Sequence, residues 1–205
     1  MVAEIDALTR SFKKERDRQP ILIGVEQDIA AHQIAHFVKR AQDRELNLLL
    51  TLESGCVGDV RFGCEELRCE DELFLPLFDE QFVLAIPSTH ALAGRVSLIA
   101  EDLHDLCWIM CPQHASHQRL LPIYGATAHS PAANASTFSL ALNLAVAGIG
   151  ITIVPESLAR EHVGLIIKPL PGHSLTRRVG VCYAVQAMTM PSVAQLLQNI
   201  SLENG

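Results

Sequence analysis

Residues 134–157, NASTFSLALNLAVAGIGITIVPES, pose the fold problem in its sharpest form. The stretch opens on small polar side chains, turns almost wholly apolar over residues 137–147, breaks at Gly148 and Gly150, and resumes as ITIVP. This pattern predicts a helix whose start is capped by the hydroxyl of Ser136 or Thr137, which can accept from backbone N–H groups just inside the helix. A glycine end and a buried strand follow. A helix apolar on every side buries more than one face, one on a sheet and one elsewhere. The glycines at 148 and 150 follow a helix and precede a strand, the reverse of a dinucleotide-binding loop. Gly-x-Ser-x-Gly and His-Glu-x-x-His are both missing from the sequence, which turns the reading away from catalysis.

Outward from that stretch, ILIGV (21–25), LNLLLTLES (46–54), CWIMC (107–111), LIIKPL (165–170) and RRVGVCYAV (177–185) read as strands. EQDIAAHQIAHFVKRAQDR (26–44) reads as a helix with Ala30, Ile34, Phe37, Val38 and Ala41 on one stripe. SHQRLLPIYGA (116–126) reads as a helix capped by Ser116, and PSVAQLLQNI (191–200) as one with Pro191 in its first turn. LFLPLFDEQFVLAIP (73–87) is expected to form two short strands around an acidic corner at Asp79 and Glu80. SLIAEDLHDL (97–106) is expected as a short helix, and residues 55–71 as irregular except for a strand-like 60–62. In residues 1–18, Val2, Ile5, Leu8 and Phe12 recur at helical spacing, which predicts an amphipathic helix stopped by Pro20. Strands alternating with helices predict an α/β fold with a largely parallel sheet split over two lobes.

Composition narrows the function. Hydrophobic residues make up 49% of the 205, but aromatic ones only 5%, so the core is aliphatic and the chain is not disordered. A formal net charge of −7 and a pI near 5.7 argue against nucleic-acid binding by these residues alone, because phosphate recognition needs clustered cations. No apolar run approaches the roughly 20 residues of a membrane span, and the start shows no signal-peptide core, so a cytoplasmic protein is expected. Cys56, Cys64, Cys69, Cys107, Cys111 and Cys182 are then expected as thiols. Cys107 and Cys111 lie near His114 and His117, but zinc boxes place a turn between their cysteines, whereas these fall on a predicted strand. No metal and no cofactor is expected.

The combination of PLFDE (76–80), an IPxxHxLA segment (86–93) and VAGxGIxxxP (146–155) resembles the effector-binding region of LysR-type transcriptional regulators. ILIGV at the start and RRVGVCY near the end fit the same pattern. The resemblance covers residues 21–200 and implies two Rossmann-like α/β lobes joined by crossover strands, as in type 2 periplasmic binding proteins. Residues 1–19 would be a linker-helix remnant and hinge, 20–80 with 172–205 the first lobe, and 81–171 the second. Family members place a helix of about a dozen residues before the third strand, filling a gap so that the sheet is covered. Here GDVRFG (58–63) follows Glu53, Ser54 and Gly55 almost at once, so the first lobe is trimmed or residues are missing from it. A trimmed lobe is expected to leave the cleft more open.

In such a fold, ligands sit where helix starts face the gap between the lobes. The candidates are Glu26, Gln27 and Asp28 after the first strand, Gln113, His114 and Ser116 after CWIMC, and Ser136 and Thr137. Each has a plainer role: Asp28, Ser116 and Thr137 can simply cap helices. Arg119 could hold a carboxylate if it faces inward. Relatives resemble one another in a Ser/Thr-rich first turn, so Glu26 and Asp28 point away from a dicarboxylate and toward an amine, amide or mixed ligand. One branch of the family senses peroxide through a cysteine that follows a histidine here, but Ala115 follows His114, so that mechanism does not transfer.

The resemblance also implies that the apolar helix pairs with the first-lobe helix of a second chain. This would put Ile34, Phe37, Phe138, Leu142 and Ala145 at the interface of a homodimer, which could assemble further into a tetramer. The expected function is therefore non-enzymatic: sensing a small-molecule effector and dimerising. DNA would be reached only through an N-terminal winged module outside these residues, whether the chain is an excised domain or naturally lacks that module. The alternatives are a solute-binding protein of the same fold and a pure oligomerisation module.

Overall fold

The computed structural model describes residues 18–42 and 47–202; the helix expected at residues 1–18 falls almost wholly outside them. In chain order the strands are β1 (Gln19–Val25), β2 (Leu48–Ser54), β3 (Val60–Cys64), β4 (Glu72–Pro87), β5 (Trp108–Met110), β6 (Ala133–Asn134), β7 (Ile151–Pro155), β8 (Leu165–Pro169) and β9 (Thr176–Ala184). The helices are α1 (Ala31–Ala41), α2 (His117–Tyr124), α3 (Phe138–Val146), α4 (Glu156–Ala159) and α5 (Pro191–Leu202). Short 3₁₀ turns include Glu65–Leu67 and Ala100–Leu103, the second within the segment expected to form a short helix. The sheet order is β2-β1-β3-β9-β4-β7-β5-β6, with β8 also on β4.

Two separate apolar cores define two lobes. In the first, Ile21, Ile23, Phe37, Phe62, Val181 and Leu196 are fully buried, and Phe37 stacks on Phe62 with ring centroids 4.4 Å apart. In the second, Leu84, Ile86, Trp108, Phe138, Leu142 and Ile153 are fully buried. β4 and β9 join the lobes. Residues 72–81 of β4 pair with β9, and residues 82–87 pair with β7 and β8.

The acidic corner expected at Asp79 and Glu80 is therefore a continuous strand. Asp79 and Glu80 stand opposite Arg178 and Arg177 across the β4–β9 ladder; Glu80 pairs with Arg177, while Arg178 pairs with Glu65, so the acids sit within a strand and not in a turn. The sheet is also mixed where a largely parallel one was expected. The chain leaves the first lobe along β4 and returns along β9, and these two crossing strands are antiparallel neighbours.

The connection from β2 to β3 takes only residues 55–59 and lies flat across β1. The Gly55 N–H donates to the Val25 carbonyl at 2.8 Å, and the Asp59 N–H donates to the Leu22 carbonyl at 2.8 Å. The Asp59 carboxylate accepts from the Leu22 N–H at 2.8 Å. A Cβ on Gly24 would stand 2.6 Å from the Gly55 carbonyl oxygen and closer still to that of Val57, so the crossing requires glycine.

Candidate functional site

α3 begins as expected: Thr137 Oγ1 accepts from the Leu140 N–H at 3.1 Å, and Gly148, with φ +81°, ends the helical run. A second cap comes from the other lobe. Asp28 Oδ2 accepts from the Phe138 N–H at 2.8 Å, and Asp28 Oδ1 accepts from the Ser139 N–H and hydroxyl, each at 3.0 Å. The expectation that Asp28 caps its own helix is thus corrected. α1 starts later, at Ala31, where the Gln33 side chain accepts from the Ala30 N–H at 3.2 Å. Asp28 instead occupies a left-handed turn at φ +62°. Arg177 fixes that turn, donating from Nη2 to the Asp28 carbonyl at 2.8 Å and from Nε to Glu80 at 2.7 Å.

Glu66, in the 3₁₀ turn, makes the second bridge. Its carboxylate accepts from the Ser116 hydroxyl at 2.7 Å and pairs with Arg119, which also donates to the Thr176 carbonyl at 2.6 Å. Ser116 stands at the N-cap of α2, but its side chain does not cap that helix because it reaches Glu66. Arg119 holds a carboxylate, and that carboxylate belongs to the protein. The trimmed first lobe thus has a cleft bridged by acids where a more open one was expected.

His114 lies between the bridges. Its ring packs on Phe138 with centroids 4.1 Å apart, its Nδ1 accepts from the Ser116 N–H at 3.1 Å, and its Nε2 lies 4.0 Å from Asp28 Oδ2. Burial pushes its pKa below the usual histidine value, against the pull of Asp28. The ring is neutral near pH 7, with the proton on Nε2 facing Asp28. Gln113 and Ser136 are exposed and line a cavity of about 410 Å³ with Pro112, Asn134 and Ala135. Gln27 is exposed in the first turn.

Glu26 is placed away from these groups. Its side chain lies over Gly63, where a Cβ would stand 2.6 Å from the Glu26 Cγ. One carboxylate oxygen accepts from the Cys64 N–H at 3.0 Å, and the other pairs with Arg61. Arg61 also pairs with Glu72 and donates to the Leu67 carbonyl at 3.2 Å. Arg61 is 5% exposed and Glu26 8%, so this is a buried ion cluster. Desolvation raises the Glu26 pKa, while the hydrogen bond from Arg61 lowers that of Glu72.

Glu66, Arg61, Glu72 and Arg177 were not singled out in the sequence. They join positions far apart in the chain, and EELRCED carries no periodicity that would point its acids at particular partners.

Four of the five residues expected at the dimer interface point into the fold. Phe37, Leu142 and Ala145 are 0% exposed and Phe138 1%, so these four fill the cores; Ile34 is half-buried. The outward face of α3 carries Leu140 at 50% and Val146 at 47%, with Ile149 just beyond at 47%. This is the same helix one step round in phase.

Cys111 is buried against the Thr137 carbonyl, and burial pushes its thiol up to about 12; Cys107 is exposed. Among the described residues no group of His, Cys, Asp or Glu is placed to hold a metal ion, and no helix is long and apolar enough to cross a membrane.

The model of the LysR substrate binding domain matches residues 14–202, and the chain belongs to this family of transcriptional-regulator domains. A relative named probable hydrogen peroxide-inducible genes activator, from Mycobacterium avium, is 30% identical over 153 residues, covering 69% of this chain and 48% of its own length. One of the same name from Streptomyces viridosporus is 28% identical, covering 91% of this chain and 66% of its own. The chain thus spans about half to two thirds of these relatives. The fold is shared with the effector binding domain of QuiR solved with shikimate, with a TM-score of 0.72 at 17% identity, covering 92% of this chain and 98% of that one.

Proposed function

We propose that the chain is the effector-sensing and dimerising domain of a LysR-type transcriptional regulator, cytoplasmic and without catalytic activity, with DNA contacted only through an N-terminal module. One observation carries this reading: two lobes, each with its own apolar core, meet across a cleft largely through polar contacts, among them those of Asp28, of Glu66 and of His32 with Glu161. Such contacts can break and reform as the lobe angle changes. An effector seated beside them would shift the balance by its differential affinity for the two arrangements. The space lined by Gln113, Asn134 and Ser136 is where it would sit.

The name of the relatives suggests peroxide as the input. The position that carries the sensing cysteine in the peroxide branch opposes that: Ala115 stands after His114, and the neighbouring Cys111 is buried with its pKa pushed up to about 12, so almost none of it is thiolate at neutral pH. A bound small molecule is the better reading. A dimer is proposed through the outward stripe of Leu140, Val146 and Ile149, since burying exposed apolar area drives association.

The test is a thermal-shift screen of the chain against small amines, amides, neutral hydroxylated compounds, carboxylates and peroxide. Stabilisation by one small-molecule class, lost when Gln113 and Ser136 are both replaced by leucine, supports sensing. Silence across the panel, or a response to peroxide alone, overturns it.

A further inference from the structure

The start of α3 presents backbone N–H groups to the space between the lobes, and a helix start favours negative charge. In this chain the charge is built in. The Asp28 carboxylate engages the Phe138 N–H, the Ser139 N–H and the Ser139 hydroxyl, at 2.8 to 3.0 Å. Asp28 is 7% exposed, and Arg177 holds its carbonyl. The left-handed backbone at Asp28, which Asp adopts more readily than most residues, aims this lobe I side chain across the gap at the start of α3.

We propose that Asp28 is a specificity-determining residue: a resident anion that fills the carboxylate position of the cleft and excludes anionic effectors from it, leaving the adjoining space to neutral or cationic ones. The surroundings agree. Glu66 in the same way occupies Ser116 and Arg119 at the start of α2, so both lobe II helix starts facing the gap are matched by lobe I acids. The side chains lining the adjoining cavity, Gln113, Asn134 and Ser136, are uncharged amides and a hydroxyl. A second carboxylate arriving there would meet the buried Asp28 with Arg177 and Arg119 already engaged, so like charges repel and neither arginine is free to offset them. The inference deepens the sensing reading by naming the class that the cleft refuses. Its test needs no effector, so it stands or falls separately from the screen.

The experiment follows the Phe138 and Ser139 amide resonances and the melting temperature as sodium acetate or sodium benzoate replaces sodium chloride at constant ionic strength. In the unmodified chain neither amide moves. Asp28→Gly, compatible with the positive φ, frees the three donors and gains carboxylate binding at least tenfold tighter than the unmodified chain, with both amides shifting. Asp28→Asn keeps the shape without the charge, so it lowers the melting temperature and binds acetate more weakly than Asp28→Gly but more tightly than the unmodified chain; acetate binding no tighter than in the unmodified chain would overturn the role of the charge. Movement of the amides of the unmodified chain in millimolar acetate overturns the proposal. So does a folded Asp28→Gly that binds carboxylates no better. If Asp28→Gly does not fold, the amides of the unmodified chain decide.

Discussion

Replacing Arg61 by methionine isolates the energetics of the buried ion cluster. Methionine roughly matches the length of the aliphatic stem, so the main loss is the guanidinium that Glu26 and Glu72 share. Glu26 is left buried without its guanidinium partner, still accepting from the Cys64 N–H and still under the influence of Arg177. Removing one partner of a buried pair costs about 3–5 kcal/mol, because the other charge loses its compensation. For a domain of this size each kcal/mol moves the melting temperature by roughly 2–4 °C, so a fall of roughly 6–20 °C is expected at pH 7.5.

The pH dependence makes the prediction specific. The Glu26 pKa already lies above 4.5 in the folded chain because of desolvation, and Arg61 is one of the influences holding it down. Without Arg61 it rises further. The folded variant then binds a proton more readily than the unfolded one, so it regains stability as pH falls from neutral toward 4.5. Glu72 works in the same direction from the other side. Its depressed pKa in the unmodified chain contributes stability that is present above 4.5 and lost as pH falls through the folded value. The variant lacks that contribution at every pH. The gap between the two proteins should therefore be largest at pH 7.5, smaller at pH 5 and smaller again at pH 4. Urea denaturation at the three values measures it, and adding Glu26→Gln to Arg61→Met should recover most of the loss at pH 7.5. A gap independent of pH, or a double variant no more stable than the single one, would refute the buried-carboxylate explanation.

The crossing over β1 predicts that Gly24→Ala, a single added methyl, destabilises by about 1–3 kcal/mol or more, since the atoms it meets are backbone carbonyls of Gly55 and Val57 that cannot rotate away; urea midpoints check this, and a neutral effect would mean that the loop lies elsewhere. Leu140→Glu on the exposed face of α3 should turn a dimer into a monomer in light scattering while moving the melting temperature of the monomer little. Phe138→Ala in the same helix should instead cost about 3–5 kcal/mol of fold stability, because that ring is 1% exposed in the core.

What the sequence made legible follows from the range of the physics behind each signal. Apolar periodicity and caps are local, so ILIGV, the helix at Phe138–Val146 and its hydroxyl cap were readable from neighbours in the chain. The same local reading split β4 at Asp79 and Glu80, because acids within an apolar run look like a turn until Arg177 and Arg178 are known to lie opposite. Helix phase was lost for a related reason. In a helix apolar all round, composition cannot tell whether Phe138 or Leu140 meets the sheet, and only the sheet's position decides. Asp28 was seen as an acid in a cleft turn, but its acceptance of the Phe138 and Ser139 N–H groups spans more than a hundred residues and leaves no mark on spacing.

The trimmed crossover also connects the ion cluster to the cleft. With the β2–β3 link reduced to residues 55–59, the face of β3 that carries Arg61 has the turn at Glu65–Leu67 and the segment after it for a neighbour. Arg61 fastens that segment through the Leu67 carbonyl and through Glu72, whose carboxylate also accepts from the Cys69 N–H at 2.8 Å. Glu66 projects from the same turn to Ser116 and Arg119 of the other lobe. The cluster is thus an anchor for one of the bridges between the lobes as well as a stabilising element of the first lobe. Arg61→Met should on this account loosen the lobe contact along with the fold: exchange of the Ser116 hydroxyl and of the amides near it should accelerate under conditions where the first-lobe core, reported by Phe37 and Phe62, is still protected. Glu66→Gln should reproduce the faster exchange without the loss of stability, because Glu66 lies at the surface and leaves the buried charges paired. If Arg61→Met melts the core and the bridge together and Glu66→Gln changes neither, the two features are independent and the lobe contact does not rest on Glu66.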